Sequence, residues 1–401
     1  MIIEFLKKAL PFFGKSERFL VVEILDYFLR VSSLKVDFDN KKIHLVKTLS
    51  VKNSFDDYYG TFEKLSKLLK QFGNPSSYSL ILNLDSSIAT TIHSAVSLIR
   101  NHPKEPIDEA DLDNLISQAI WKMFERFRAK VALKMAASDL DILLTDIQIK
   151  HVKLDGHKVI NPIGFQAKTV EIGLAQTFVT RELINHLKPL LPKAKIVLIN
   201  EAGTVWANVV SQNGEASNFL FVNLFPHETT VFLGFGSSLL YLKTLDWGEK
   251  DLIKSIAENL AVSQNVANEI LDRFVLNDVS EVFGKRISKI LNNEFQALTK
   301  SLEPQLKKHD VRIVYCLPFF TLPEMFFLSG FKSRFHRTVK ITEVTTDFLR
   351  KKFNFGVKFK RPFNEKSLFP ILAGLFQFYF LPADDKIRKM AKRRIRWLAP
   401  D

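Results

Sequence analysis

Apolar runs and helically spaced apolar residues alternate along this 401-residue chain. Residues 19–36 and 43–51 are rich in β-branched and apolar side chains, which indicates neighbouring strands. In residues 55–72 the apolar side chains recur at helical spacing and end at a Gly-Asn-Pro sequence, which predicts a helix with a firm stop. A further helix is predicted to start at Asp108, because an aspartate caps free N–H groups at a helix start.

The same alternation of strand and helix patterns continues along the rest of the chain. Asp155-Gly156 between two apolar runs predicts a hairpin, because this pair tolerates positive φ. Further strands are predicted at 78–84, 96–100, 169–180, 219–225, 229–233, 239–245 and 311–316, and helices at 181–191, 247–260, 264–274, 286–302 and 368–381. Strands alternating with helices predict an α/β fold.

Composition and charge indicate the compartment of the protein and the charge of its partner. The 14-residue apolar run at 368–381 is shorter than the ~20 residues that span a bilayer, so it is predicted to be a core helix. The single cysteine, Cys316, favours a reducing compartment, and Lys7 and Lys8 within the first apolar stretch argue against a signal peptide. The net charge of +14, with its excess after about residue 330, implies an acidic partner surface, either nucleic acid or anionic lipid.

Residues 107–187 carry the most specific pattern in the chain. An acidic helix start is followed by a hairpin that runs into Asn161-Pro162-Ile163-Gly164. This stretch resembles the inserted subdomain of the bacterial cell-division protein FtsA, and a weaker resemblance extends from about residue 18 to the end. The resemblance implies an actin/Hsp70-like two-lobed α/β fold with an inserted SHS2-type subdomain.

The resemblance also implies a division of the chain. It places the first lobe at 1–76 and 178–195, the inserted subdomain at 77–177, the second lobe at 196–250, 251–310 and 311–360, a closing helix of the first lobe at 361–383 and a basic tail at 384–401.

Members of this superfamily hold ATP with three glycine-rich turns, whose bare backbone N–H groups approach the nucleotide closely. In this chain the three turns align with sequences that have lost those glycines, and proline also lacks the N–H. The residues of the degenerate turns are Glu23, Leu25 and Asp26 in the first phosphate turn; Asn223, Phe225, Pro226, His227 and Thr229 in the second; and Leu317, Pro318 and Phe319 in the adenosine turn. The expectation is therefore that the ATP site is lost, with no cofactor, no metal and no catalytic residue.

The chain contains a basic amphipathic segment after residue 385. Its cations and apolar residues are spaced as in a helix that lies in a membrane interface. The residues predicted to bind membrane are Lys386, Ile387, Arg388, Lys389, Met390, Lys392, Arg393, Arg394, Ile395, Arg396, Trp397 and Leu398. A solvated charged terminus and an RNA-binding arginine cluster are the alternatives, and no nucleic acid is expected as a partner.

Function is predicted accordingly as a non-catalytic scaffold. By the resemblance, it would tether an FtsZ-like protein to the cytoplasmic face of the inner membrane at the division site, with possible self-association or pairing with a related actin-like protein. Lys285, Arg286 and Lys289 are the candidate dock for an acidic tail, with a simple solvated face as the alternative. A PilM-type pilus or secretion scaffold and an ATP-binding protein with an atypical pocket remain open.

Overall fold

The computed structural model describes residues 17–37, 39–211, 218–235, 238–317, 340–343, 347, 350–351, 354–359, 368–380 and 385–398. The strands are β1 (Glu17–Ile24), β2 (Phe28–Asp37), β3 (Lys42–Lys52), β4 (Ser79–Leu84), β5 (Ala89–Ile99), β6 (Ile142–Leu154), β7 (His157–Val159), β8 (Thr169–Thr180), β9 (Lys195–Glu201), β10 (Phe219–Leu224), β11 (Thr229–Phe235), β12 (Ser238–Leu245), β13 (Ile313–Leu317), β14 (Lys340–Glu343) and β15 (Gly356–Phe359). The helices are α1 (Tyr58–Lys70), α2 (Glu109–Lys134), α3 (Arg181–Leu190), α4 (Ala202–Ser211), α5 (Glu249–Leu260), α6 (Gln264–Val275), α7 (Glu281–Lys308), α8 (Leu368–Phe380) and α9 (Asp385–Leu398).

These elements form two compact units. The first consists of Met1–Val209 with Thr346–Asp401, and the second of Val210–Thr345. The first unit contains a six-stranded sheet of order β15-β3-β2-β1-β4-β9. Strands β1, β2 and β3 are an antiparallel meander, and β4 and β9 run parallel to β1. The second unit contains a five-stranded sheet of order β12-β11-β10-β13-β14, again a meander followed by two parallel strands.

The central strands are buried on both faces, which explains their continuous apolar sequences. One face of the first sheet packs on α1 and α3, with Leu65 and Leu183 in the shared core. Helix α8 packs against β1, β4 and β9. Its Gly374 allows a close approach, because an added Cβ would lie 2.9–3.1 Å from side-chain atoms of Asn83 and Ile81. In the second unit the core is shared with α5, α6 and α7.

The inserted subdomain has the element order β5, α2, β6, β7, β8, and its antiparallel sheet has the order β5-β8-β6-β7. Helix α2 starts where the sequence predicts it, because the Asp108 carboxylate accepts a hydrogen bond from the Asp111 N–H at 2.8 Å. The hairpin between β6 and β7 turns at Asp155-Gly156, both with positive φ, as predicted.

The domain boundaries differ from the predicted ones in three places. Strand β4, which the prediction included in the inserted subdomain, pairs with β1 and β9 in the first unit's sheet. Strands β9 and β15, which the prediction gave to the second lobe, also belong to the first unit. Strands of this length contain too few residues for their own sequence pattern to reveal which sheet they join.

Candidate functional site

The β1–β2 turn, at the position of the first phosphate turn, is bound to the rest of the first unit. The Leu25 N–H donates to the Phe28 carbonyl at 3.1 Å, and the Asp26 N–H donates to Asp85 Oδ2 at 3.2 Å. Asn53 Nδ2 donates to the Leu25 carbonyl at 3.0 Å. The Leu25 side chain is fully buried. The N–H groups of Leu25 and Asp26 therefore already have acceptors inside the protein.

Two carboxylates lie at this turn. Asp26 Oδ1 accepts the Phe55 N–H at 2.6 Å, which ties the turn to the start of a helix. Asp85 directly follows β4, and its carboxylate also accepts hydrogen bonds from the N–H and Oγ of Ser87. Burial raises the pKa of Asp85, and the neighbouring Asp26 carboxylate raises it further. The Asp26 carboxylate thus lies in the turn that the sequence aligns with the superfamily's first phosphate turn.

A buried ion pair stands behind the same turn. Glu23 and Arg30 are cross-strand partners on β1 and β2, and their side chains form an ion pair with almost no solvent exposure. The Arg30 guanidinium also lies over the Phe28 ring, 4.8 Å from its centroid. Glu23 was predicted as the acidic residue of the turn, whereas Arg30 was missed. In a hairpin that turns at residues 25–28, positions 23 and 30 lie opposite each other. The hairpin register was therefore the sequence signal that could have identified Arg30 as the partner of Glu23.

The β10–β11 turn, at the position of the second phosphate turn, is closed in a similar way within the second unit. The Phe225 N–H donates to the Glu228 carbonyl at 2.9 Å, and the Phe225 side chain is buried. Pro226 has no N–H, and its carbonyl accepts the Lys250 N–H at 2.9 Å. Gly248 packs so tightly here that an added Cβ would lie 2.3 Å from the Pro226 oxygen.

The remaining predicted residues of this turn take structural roles or face solvent. Thr229 Oγ1 donates to the Trp247 carbonyl at 2.8 Å, and the buried Asn223 Nδ2 donates to Thr230 Oγ1 at 3.3 Å. His227 is exposed. Of the predicted adenosine turn, Leu317 ends β13, whereas Pro318 and Phe319 lie outside the described residues.

No group of three or more His, Cys, Asp or Glu side chains that could hold a metal ion occurs among the described residues. Within the same part of the chain, no helix has the length and hydropathy needed to cross a bilayer.

The predicted acidic-tail dock lies on the exposed side of α7. Lys285, Arg286 and Lys289 are all exposed. Lys285 pairs with Glu281 one turn earlier, at 2.6 Å. Two strongly exposed apolar side chains, Leu276 and Val282, precede these cations in the chain. This basic face is compatible with binding an acidic peptide that also carries apolar side chains. It is equally compatible with a face that contacts only solvent.

The predicted membrane tail forms helix α9, but its apolar side is covered in this structure. Ile387, Met390 and Ala391 are buried in the core of the inserted subdomain. Lys386, Lys389 and Arg393 are exposed, and Lys392, Arg394 and Ile395 are half-buried. The side chains of Arg388, Arg396, Trp397 and Leu398 lie outside the described ones. The sequence pattern reflects intramolecular packing here, and membrane binding by this helix stays a prediction.

A polar contact joins the inserted subdomain to α4. Lys150 Nζ donates to Asn208 Oδ1 at 3.0 Å and to Gln148 Oε1 at 2.9 Å. Burial lowers the pKa of Lys150 to about 8, although the Asp146 carboxylate opposes this shift. Burial, with a smaller repulsion from Lys150, lowers the pKa of His93 to about 3. Both groups are half-buried, and nothing in their sequence surroundings marks them.

Comparison with known proteins gives the fold. A chain of the PilM–PilN type IV pilus biogenesis complex matches with a TM-score of 0.53 and 14% identity, covering 95% of this chain and 98% of that one. A Bacteroides thetaiotaomicron protein with an actin-like ATPase fold and unknown function matches with a TM-score of 0.40 and 9% identity, covering 84% and 93%. The ethanolamine utilization protein EutJ from Carboxydothermus hydrogenoformans matches with a TM-score of 0.41 and 9% identity, covering 92% of this chain and 91% of that one.

The mixed α/β fold is that of the matched chain of the PilM–PilN complex, and a protein with an actin-like ATPase fold is among the other matches. The predicted fold class is therefore confirmed, whereas nothing in these matches singles out the FtsA family. No protein-family model matches the chain, and no curated protein matches it by sequence.

Replacing Arg30 tests the ion pair behind the first turn. Arg30→Met leaves the Glu23 carboxylate buried without its cation, and we expect a loss of about 3–5 kcal/mol in the free energy of unfolding. Glu23→Leu with Arg30→Met should recover most of this loss, because no buried charge remains. Denaturant unfolding of both variants measures the difference. Equal losses in the single and double variants would contradict the account.

His93→Gln tests the neutral state of His93 beside Lys150. The folded-state pKa of about 3 lies below the ordinary 6.5, so the stability from neutral His93 is complete above pH 6.5 and is lost as the pH falls towards 3. Between these values the wild-type protein should lose about 1.4 kcal/mol per pH unit relative to the variant. Urea unfolding of both proteins at several pH values measures this slope. A constant difference between them would contradict the buried neutral state.

Proposed function

We propose that this protein is a non-hydrolysing actin-like scaffold that binds a partner protein at a membrane. The observation that carries the proposal is the closed state of both described phosphate turns. Phosphate binding at such turns requires unoccupied backbone N–H groups that point at the anion. Here the N–H groups of Leu25, Asp26 and Phe225 donate to acceptors within the chain.

Charge and shape support the same proposal. The Asp26 carboxylate lies at the first turn, and a triphosphate there would meet repulsion from it. At the second turn, the Phe225 side chain and the ring of Pro226 take the place of glycines. We infer that ATP and its magnesium ion are not bound, and that the protein is not an enzyme.

Two partners fit such a scaffold. The matched chain belongs to a complex named for two proteins, PilM and PilN, which favours a pilus-type assembly partner. The Asn161-to-Gly164 sequence and the exposed cations of α7 favour an FtsZ-like partner with an acidic tail. In both cases we place the protein at the cytoplasmic face of the inner membrane, at the division site in the second. Self-association or pairing with a related actin-like protein is compatible with both, and no nucleic acid is needed.

Charge reversal on α7 separates the two partners. We expect the acidic carboxyl-terminal peptide of an FtsZ-like protein to bind, and Lys285→Glu with Lys289→Glu to weaken that binding about tenfold or more. Lys300→Glu with Lys308→Glu reverses two exposed charges elsewhere on the same helix and should leave binding unchanged. Isothermal titration calorimetry with purified peptides measures both affinities.

A different pattern would point to the pilus system. Binding of a peptide from a pilus inner-membrane protein, unaffected by either pair of substitutions, would remove α7 as the dock and favour the PilM-type assignment. Failure of both peptides to bind would contradict the scaffold proposal itself.

A further inference from the structure

The described part of the apolar face of α9 packs against the inserted subdomain. Helix α9 packs against β6 and α2, and Ile387, Met390 and Ala391 are among the buried members of the subdomain's core. Ile395 extends the same face and is half-buried against that core. Ile387, Met390 and Ala391 of this face are therefore already removed from water, and Ile395 is partly so.

Two carboxylates of α2 hold the cations that border this face. Lys386 pairs with Glu109, and Arg394 pairs with Asp113. Glu109 and Asp113 are four residues apart, so they lie on the same side of α2. Lys392 Nζ also donates to the Val197 carbonyl of β9 at 3.4 Å. The contact thus combines an apolar centre with charged borders.

The outward side of the docked helix remains basic. Lys386, Lys389 and Arg393 are exposed, and the sequence of the helix contains seven cations in all. A helix with a cationic face and a narrow apolar face is the type that binds an anionic lipid surface in the interface plane. The same apolar face cannot pack on the inserted subdomain and enter a bilayer at the same time.

We propose that α9 is a latch whose apolar face has two alternative occupants, the inserted subdomain and an anionic bilayer. The proposal rests on the membrane location in the proposed function. The apolar contribution is similar in the two states, because the same side chains leave water in each. The charged contribution differs. The docked state keeps an exposed, weak Lys386–Glu109 pair and a more buried Arg394–Asp113 pair, whereas an anionic leaflet attracts every cation near its surface. The lipid charge therefore determines which state is populated.

Cross-linking the docked state tests the latch. In the variant Glu109→Cys with Lys386→Cys, a short bis-maleimide joins the two positions that form an ion pair in the wild type. The matched control is the same variant treated with N-ethylmaleimide, which blocks both thiols without joining them. The native Cys316 is buried and should not react. Flotation with phosphatidylcholine vesicles, with and without phosphatidylglycerol, then measures binding of the full chain.

We expect the control to bind vesicles that contain phosphatidylglycerol, and the cross-linked protein to bind them about tenfold or more weakly. Neither should bind phosphatidylcholine alone. Glu109→Gln with Asp113→Asn, which weakens docking, should strengthen binding to the anionic vesicles several-fold. Glu125→Gln, which removes a carboxylate of α2 that faces Arg128, should not.

The outcomes separate the latch from the membrane location. Equal binding of the cross-linked and control proteins to anionic vesicles would overturn the latch and leave membrane association intact. No binding by any form, including the variant with weakened docking, would overturn both.

Discussion

A backbone N–H group that donates to an internal acceptor is not available to a phosphate. This constraint applies to both the β1–β2 turn and the β10–β11 turn. In the β1–β2 turn, the Leu25 N–H donates to a carbonyl and the Asp26 N–H donates to a carboxylate. The β10–β11 turn donates one N–H internally and lacks another at Pro226. Because both turns are closed by local contacts, loss of a nucleotide would leave few backbone groups unsatisfied. These contacts also bind each turn to the rest of its unit.

Each of the two units is built on one main sheet. Each sheet has an antiparallel meander followed by two parallel strands, and each buries its central strands between layers of helices or against them. That packing depends on apolar contact between strands and helices, not on the turns at the strand ends. Substitution in the turns is therefore compatible with an intact actin-like body. The inserted subdomain has its own sheet and a core that it shares with α2 and α9.

Much of this architecture follows from periodicity in the sequence. The α/β class, the hairpin at Asp155-Gly156 and the start of α2 at Asp108 all agree with the structure, because local turn and capping chemistry determines them. Helix α7 runs past Pro304, beyond the predicted end at 302. The missing N–H of a proline weakens a helix, but the packing of Leu306 compensates for it here.

Other features depend on contacts between distant segments, which periodicity does not report. Asp85 reaches the first turn across the sheet, 59 positions away from Asp26. The apolar side of α9 matches the pattern of a membrane helix, yet β6 and α2 cover it. An amphipathic pattern states only that one side avoids water and does not identify what covers that side. The same reasoning explains why β4, β9 and β15 were assigned to the wrong neighbours.

The central claim is that the closed turns leave no site for a nucleotide, and equilibrium binding of ATP tests it most directly. Isothermal titration of the full chain with ATP and magnesium at millimolar concentrations should give no saturable heat and no shift of the unfolding temperature. Saturable binding of one ATP per chain, accompanied by thermal stabilisation, would contradict the account.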